Sequence, residues 1–398
     1  MFYDAALCPA TERCVPMRHQ KSANARIDSA ENSMSTLNST RASVTVVVPT
    51  YREVENIPHL VARLQGVREQ FGLDLELLLM DDDSRDGSDK VVETLLLPWV
   101  YLVTRTTNRS LSFAVLDGLV RSERDVLVVM DADLSHPPEK IPEMVALLAG
   151  NVDVVVGSRF ADGGSTADDW GVLRWLNSRV ATLLALPLAR LSDPMSGFFA
   201  MRRSTFLAGR DFNPIGYKIL LELILKCRCS RIVEVPIYFD NRRFGKSKLS
   251  LKEQLKYLQH LRRLYIYKYG TWSHLLQFLV VGFSGLVVNL LALTLLLRLQ
   301  MPEKLAVALA IVVSMFWNFG FNRRFSFSYA RGQSIVRQFV GFVAACSVGA
   351  VVNYFVTMGL WEVFRHKQIS AFIGVLAGTG FNFMASRFVI FRSKHIRR

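Results

Sequence analysis

Four long apolar segments constrain the fold of this chain more than any other feature of its sequence. They cover residues 275–297, 305–322, 338–360 and 369–386, and none of them contains a charged side chain. Each approaches the roughly 20 residues that an α-helix needs to cross the hydrocarbon core of a bilayer. The sequence therefore predicts a membrane domain of four transmembrane helices in the last third of the chain.

The loops between these segments alternate in charge. Basic side chains follow the second segment at Arg323, Arg324, Arg331 and Arg337, and the fourth at Arg387, Arg392, Lys394, Arg397 and Arg398. Because cytoplasmic loops carry an excess of lysine and arginine, this pattern predicts that both termini face the cytoplasm. We expect a multi-pass protein of the cell (inner) membrane whose first half is cytosolic.

The membrane part repeats itself. QFLVVGFSGLVVN, ending at Asn289, resembles QFVGFVAACSVGAVVN, ending at Asn353, and the same spacing then leads to Asn318 and to Asn382. Two similar helix pairs inserted in the same direction are predicted. Amide side chains in lipid need polar partners, so we expect the four asparagines to face other helices.

The sequence before these segments alternates between two patterns. VTVVVP, LELLLMD, VLVVMD and VDVVVG are short β-branched or aliphatic runs, and stretches with helical spacing separate them. Such alternation predicts an α/β domain with a mostly parallel sheet and ligand groups at the carboxyl ends of its strands. The predicted organisation is a disordered tail over 1–42, this α/β domain over 43–245, a basic interfacial helical segment over 246–272 and the membrane domain over 273–398.

Acidic residues follow two of the predicted strands. Asp131 and Asp133 end the run VLVVM, where strand alternation places both carboxylates on one side. Mg²⁺ or Mn²⁺ binds one or two carboxylates together with the phosphate oxygens of a nucleotide diphosphate. Asp81 and Asp82 end the preceding run, where they can accept hydrogen bonds from a base or a ribose or simply cap a turn.

The net charge of +14, from 48 basic and 34 acidic residues, fits anionic lipid or phosphate-bearing substrates. A nucleic-acid-binding role is disfavoured, because the positive charge concentrates beside the membrane segments and no aromatic stacking platform stands out.

Six motifs in order carry a family resemblance. PTYREVEN, DDDSRDGS, DADLSHPPE, GSR, DPMSGFFA and NRRFGKSKLS lie between residues 44 and 265. Together they resemble the dolichol-phosphate mannose synthase branch of the family-two glycosyltransferases, and the four-segment remainder resembles the GtrA-like membrane domain. The resemblance implies a GT-A fold and an inverting transfer of mannose from GDP-mannose to a polyprenyl (dolichyl) monophosphate at the lipid bilayer.

The same resemblance assigns roles to particular residues. It implies nucleotide-sugar contacts at Pro49, Tyr51, Glu53, Asp81, Asp82, Asp131, Ala132, Asp133, Arg159, Arg242 and Lys248. It implies acceptor-phosphate contacts at Arg174, Arg179 and Ser196, metal ligands at Asp131, Asp133 and Ser135, and roles in the chemical step for Asp133, Arg159 and Asp193, the last as a positioning group. Many relatives have glutamine in place of Ser135, so either the serine hydroxyl or water completes this part of the metal shell.

Several alternatives remain open from the sequence. A polyprenyl-phosphate glucosyltransferase that uses UDP-glucose shares the early motifs, although DPMSGFF and GKSKLS favour mannose. The chain could instead act mainly as a lipid-linked sugar carrier or scaffold, with self-association through the membrane domain also open. Lys218 and Glu222 match a further stretch of the family but equally fit one face of an ordinary helix.

Overall fold

The short apolar runs of the first half form strands, as the sequence predicts. The computed structural model describes residues 42–167, 172–241, 251–364 and 366–392. It separates into two compact units, one up to Leu264 and one from Tyr265 onward.

Some of the sequence-based predictions fall outside the described residues. The predicted tail over 1–42 does so except for its last residue, and so do Arg242, Lys248 and the side chain of Arg174.

The described residues of the first unit form nine strands. Their bounds are β1 Ser43–Thr50, β2 Asp74–Asp81, β3 Val100–Thr104, β4 Val126–Val129, β5 Val154–Ser158, β6 Ser165–Thr166, β7 Phe199–Arg202, β8 Ile232–Pro236 and β9 Tyr238–Phe239. Seven of them form one sheet in the order β3-β2-β1-β4-β7-β5-β8, and β6 pairs with β9. Only β7 runs antiparallel to its neighbours in this seven-stranded sheet, which confirms the predicted mostly parallel α/β architecture.

Helices cover the sheet and continue into the second unit. Their bounds are α1 Ile57–Phe71, α2 Ser88–Leu95, α3 Leu111–Arg121, α4 Ile141–Leu148, α5 Val172–Ala185, α6 Arg203–Leu207, α7 Leu220–Lys226, α8 Leu251–Tyr269, α9 Thr271–Arg298, α10 Glu303–Phe321, α11 Ile335–Phe364 and α12 Lys367–Ala385.

Local sequence explains how these elements begin and end. Helix α1 has Pro58 in its first turn, where the missing N–H costs nothing, and ends at Gly72, whose φ of 61° is a left-handed conformation that favours glycine. Its buried residues recur at helical spacing and pack against the sheet. Strand β1 is buried along almost its whole length, as expected for a central strand covered on both faces.

Strand register brings the candidate site residues to one edge. Each residue of β1 pairs with one of β2, so that Thr50 lies opposite Asp81. On the other side of β1, Val47 pairs with Val129, and the chain reaches Asp131 two residues later. The carboxyl ends of β1, β2 and β4 are therefore close to level.

Among its described residues, the second unit contains four helices that are long and apolar enough to cross a membrane. The candidate spans are Thr271–Arg298, Glu303–Ser326, Ile335–Val363 and Lys367–Ile390. Each contains one of the four predicted apolar segments. A break at Gly270, with a φ of 51°, separates α9 from α8.

The internal repeat is also present in three dimensions. Helix α9 packs on α10 and α11 packs on α12. Gly285 lies directly against the side chain of Asn318, and Gly349 lies in the same way against Asn382. The repeated asparagines thus occupy helix–helix contacts, as predicted, because glycine lets the two backbones approach closely.

This contact predicts that Gly285→Ala destabilises the membrane unit. A Cβ atom at Gly285 would overlap the Asn318 side chain, whereas one at Gly282 would meet no atom within 4 Å. Overpacking of this kind costs about 1–3 kcal/mol. We expect a lower thermal unfolding midpoint in detergent for Gly285→Ala than for the matched control Gly282→Ala, and equal midpoints would contradict the packing.

Candidate active site

Most of the predicted site residues that the structure describes line one cavity at the carboxyl edge of the sheet, with a volume of about 930 Å³. Its lining does not include Asp81, Ser135, Arg179 and Asp193. On the β1 and β2 side it is lined by Pro49, Tyr51, Glu53 and Asp82, and by Arg109 and Ser110 from the chain that leads into α3. At its centre lie Asp131, Ala132 and Asp133 after β4. On the β5 and β7 side it is lined by Arg159, Met195, Ser196, Gly197, Tyr217 and Lys218, with Glu253 and Lys256 of α8.

Asp131 is the more accessible of the two central carboxylates. Its side chain is 31% exposed and accepts no hydrogen bond from any described residue. Gly197 faces it closely, since a Cβ atom on that glycine would lie 3.1 Å from Asp131 Oδ2. The carboxylate oxygens of Asp131 are therefore available to a ligand in the cavity.

Asp133 is held in place by its own turn. The backbone N–H of Ser135 donates to Asp133 Oδ1 at 3.2 Å, and the Ser135 hydroxyl donates to the same oxygen. Ser135 is buried and its hydroxyl faces Asp133. In this geometry Ser135 orients Asp133, and its assignment as a metal ligand stays a prediction.

His136 supports this turn from behind. Its Nδ1 accepts a hydrogen bond of 3.2 Å from the Asp131 backbone N–H, and its ring lies between Phe198 and Phe239. Burial lowers the pKa of His136 despite the nearby aspartates, so the imidazole stays neutral and keeps Nδ1 as an acceptor.

The two central aspartates fit a hard divalent cation. Carboxylate oxygens are the ligands that Mg²⁺ and Mn²⁺ prefer. Among the described residues no group of three His, Cys, Asp or Glu side chains is placed to hold a metal by itself. Such an ion would take its remaining ligands from the diphosphate of a bound nucleotide and from water, as magnesium commonly does.

At the carboxyl end of β2, Asp81 and Asp82 differ in their surroundings. Asp81 is buried and accepts hydrogen bonds from the Ser84 backbone N–H, at 2.8 Å, and from the Thr50 hydroxyl, at 3.3 Å. Asp82 reaches the cavity and pairs with the buried Arg105. Burial raises the pKa of Asp82 above its usual value, although Arg105 opposes this. Asp81 therefore shapes the turn after β2, while Asp82 faces the cavity.

A buried ion pair forms the opposite wall. Asp193 is completely buried and accepts two hydrogen bonds from the Arg159 guanidinium, at 2.6 and 2.7 Å. The Arg159 backbone N–H adds a third at 3.2 Å. Burial by itself would raise the pKa of Asp193, but the hydrogen bonds and charge of Arg159 outweigh it and hold the pKa below its usual value. Asp193 is therefore an ionised group paired with Arg159.

The remaining predicted residues take supporting positions. The Ser196 hydroxyl donates to the Gly157 carbonyl at 2.7 Å and accepts from the Phe198 backbone N–H at 3.1 Å, which fixes the turn before β7. The Arg179 guanidinium lies over the Phe160 ring, 4.6 Å from its centroid. Ser196 and Arg179 are thus each held by contacts with neighbouring parts of the chain.

Comparison of the sequence with known proteins identifies the family of the chain. Residues 45–208 match the model of glycosyl transferase family 2, and residues 277–391 match the GtrA/DPMS transmembrane domain. A dolichol-phosphate mannosyltransferase of Pyrococcus furiosus is 37% identical over 351 residues, which are 87% of this chain and 98% of that protein. The chain belongs to the dolichol-phosphate mannosyltransferase family. It is a glycosyltransferase and a membrane protein.

Other relatives and structures extend the comparison. A Saccharomyces cerevisiae dolichol-phosphate mannosyltransferase is 41% identical over 236 residues, which are 56% of this chain and 88% of the yeast protein. Among solved structures, glucosyl-3-phosphoglycerate synthase from Mycobacterium tuberculosis in complex with Mn²⁺, UDP-glucose and glycerol 3-phosphate is 16% identical. It covers 61% of this chain and 84% of its own, with a TM-score of 0.44.

For this family member, the sequence motifs missed several residues of the cavity. His136 lies within the motif DADLSHPPE, whose pattern does not indicate a role for it, and Arg109 lies in a stretch without a recognisable phosphate-binding pattern. Tyr217, Glu253 and Lys256 also line the cavity. Lys218, whose role the sequence left open, lines it too and donates to the Met195 carbonyl at 2.5 Å.

The Arg159–Asp193 pair predicts that Asp193→Asn is strongly destabilising. An amide in place of the carboxylate leaves the nearly buried guanidinium without its counter-charge, which costs about 3 kcal/mol and about 5–10 °C in the thermal midpoint. The exposed Asp162→Asn provides a control.

The same pair gives a pH dependence. Because the pKa of Asp193 is lowered in the folded protein, its stabilising contribution is complete above the usual carboxyl pKa of about 3.9. That contribution is lost as the pH falls through the lower folded-state pKa. The difference in midpoint between wild type and Asp193→Asn should therefore be full at pH 7 and shrink below about pH 4. A difference that is independent of pH would argue against an ionised Asp193.

Proposed function

We propose that this glycosyltransferase moves mannose from GDP-mannose to a polyprenyl (dolichyl) monophosphate with inversion at the anomeric carbon. One observation carries the proposal: a single cavity combines the central aspartates with Arg109, Arg159, Lys218 and Lys256. Two phosphate-bearing substrates repel each other, so a site that joins them needs cations on both sides. The names of the family relatives support mannose as the sugar and dolichol phosphate as the acceptor.

The donor would lie across the nucleotide side and the centre of the cavity. Pro49, Tyr51, Glu53 and Asp82 would contact the nucleoside. Asp131 and Asp133 would hold a divalent cation, Mg²⁺ or Mn²⁺, which would stabilise charge on the departing diphosphate. Ser135 and His136 keep the two carboxylates directed into the cavity.

The acceptor supplies its own nucleophile. A phosphate monoester is largely dianionic at neutral pH, because its second pKa is about 6, so no general base is needed. Its oxygen forms the new bond to the anomeric carbon while the bond to the GDP oxygen breaks and the electron pair leaves with GDP. Arg159 would stabilise the phosphate charges as a preorganised cation, and Asp193 would hold it in place.

Transfer assays on the purified full-length protein test the proposal. Labelled GDP-mannose and UDP-glucose are offered with polyprenyl phosphate, with Mn²⁺ or with EDTA. We expect mannose transfer that requires the metal and falls by at least about 100-fold in Asp133→Ala, since that variant loses a carboxylate that would hold the cation at the departing diphosphate. The exposed Asp162→Ala should transfer normally.

The outcomes separate the candidate activities. Transfer of glucose alone would identify the glucosyltransferase alternative, and no transfer from either donor would leave the carrier or scaffold alternative. The anomeric configuration of the product, read by NMR, tests the in-line attack, because retention of configuration would contradict it.

We also propose that the catalytic unit and both termini face the cytoplasm. Support comes from the basic residues after the second and fourth spans, at Arg323, Arg324, Arg387 and Arg392. Because GDP-mannose does not cross a bilayer, we expect mannose transfer in inside-out membrane vesicles and not in sealed right-side-out vesicles. Transfer only in right-side-out vesicles would reverse the orientation.

A further inference from the structure

A completely buried histidine, His260, lies next to the loop that lines the β5 and β7 side of the cavity. His260 belongs to α8, and its Nδ1 accepts a hydrogen bond of 3.2 Å from the backbone N–H of Ile215. Burial lowers the pKa of His260, although Glu222 opposes the shift, so the ring is neutral and Nδ1 retains its lone pair. Nδ1 therefore accepts the loop N–H, while the other ring nitrogen, Nε2, lies 3.7 Å from Glu222 Oε2.

The loop that His260 contacts is held by side chains from two helices. Residues 213–218 lie in neither a helix nor a strand, and side chains of α7 and α8 bond to their backbone groups. Both backbone groups of Asn213 are hydrogen-bonded. Its N–H donates to Glu222 Oε1, at 2.5 Å, and its carbonyl accepts from Arg263 of α8, at 2.8 Å. His260 provides the next contact along the loop.

The same loop carries cavity residues at its other end. Gly216 has a φ of 81°, a left-handed conformation that turns the chain and favours glycine. Tyr217 and Lys218 follow directly and line the cavity. The bond from Lys218 to the Met195 carbonyl places its ammonium beside the turn before β7, on the opposite side of β4 from the nucleotide residues.

Helix α8 therefore supports the wall at separate points. Tyr257, one turn before His260, donates to the Ala181 carbonyl of α5 at 2.9 Å, and Ala181 lines the cavity. A buried histidine could serve packing alone. An apolar residue of similar size would pack as well, but it would leave the Ile215 N–H without its acceptor.

We propose that His260 is a positioning residue for the lipid acceptor, and that it fixes loop 213–218 so that Lys218 meets the acceptor phosphate. This inference rests on the proposed function. It predicts that loss of the acceptor atom Nδ1 impairs use of the polyprenyl phosphate and leaves use of the nucleotide sugar unchanged.

Steady-state kinetics of the purified full-length protein test the inference. His260→Leu and His260→Ala remove the acceptor atom, whereas the Oδ1 of His260→Asn replaces it at a similar distance from the backbone. We expect the Leu and Ala variants to lose about tenfold or more in kcat/KM for polyprenyl phosphate, with the KM for GDP-mannose unchanged. His260→Asn should stay within about twofold of wild type, and the exposed His59→Leu is the matched control.

Three outcomes would overturn the positioning role. One is a folded Leu or Ala variant with wild-type acceptor kinetics, and another is an equal loss for both substrates. The third is a folded His260→Asn variant that loses use of polyprenyl phosphate. That variant decides the question alone if neither apolar variant folds. Failure of the proposed function is distinguishable, because the wild-type protein would then transfer no mannose from GDP-mannose to polyprenyl phosphate.

Discussion

The buried carboxylate of Asp193 holds the guanidinium of Arg159, one of the cations that line the cavity. Asp193 binds the guanidinium of Arg159, and its own N–H donates to Glu234 of β8 at 3.1 Å. Through these bonds the end of β5, the turn before β7 and the neighbouring strand β8 share one geometry. A buried ion pair adds little net stability compared with apolar packing, because desolvating two charges is costly. Its effect here is to fix the direction of a charge that a flexible surface arginine would leave variable.

The sequence predicted the sheet and the centre of the site because both depend on local pattern. Apolar runs that end in acidic residues indicate parallel strands with ligands at one edge, and Asp131, Asp133 and Asp82 reach the cavity in this way. The pattern could not tell which polar side chains face inward. Ser135 turns to a neighbouring carboxylate and Asp193 turns to an arginine, and both choices depend on contacts with the surrounding chain.

Lys218 and the helix contacts of the membrane unit show a second limit of what the sequence can predict. Helical spacing could not separate Lys218 from an ordinary surface lysine, and its position at the cavity depends on a hydrogen bond to the Met195 carbonyl, 23 residues away. In the membrane unit, repetition predicted two helix pairs and polar contacts between helices. It did not reveal that Asn318 and Asn382 meet Gly285 and Gly349, because such a contact depends on how deeply one helix is set against the next.

The direction of β7 determines which turn of the chain enters the cavity. Since β7 runs against β4 and β5, it must begin at the edge where they end, so the turn over residues 193–198 enters the site directly. The side of the cavity formed by β1, β2 and β4 depends on strand ends whose register is fixed by the sheet, whereas the other side depends on loops. A fold of this design can therefore change one side of its cavity by remodelling loops while the strand ends on the other side stay in place.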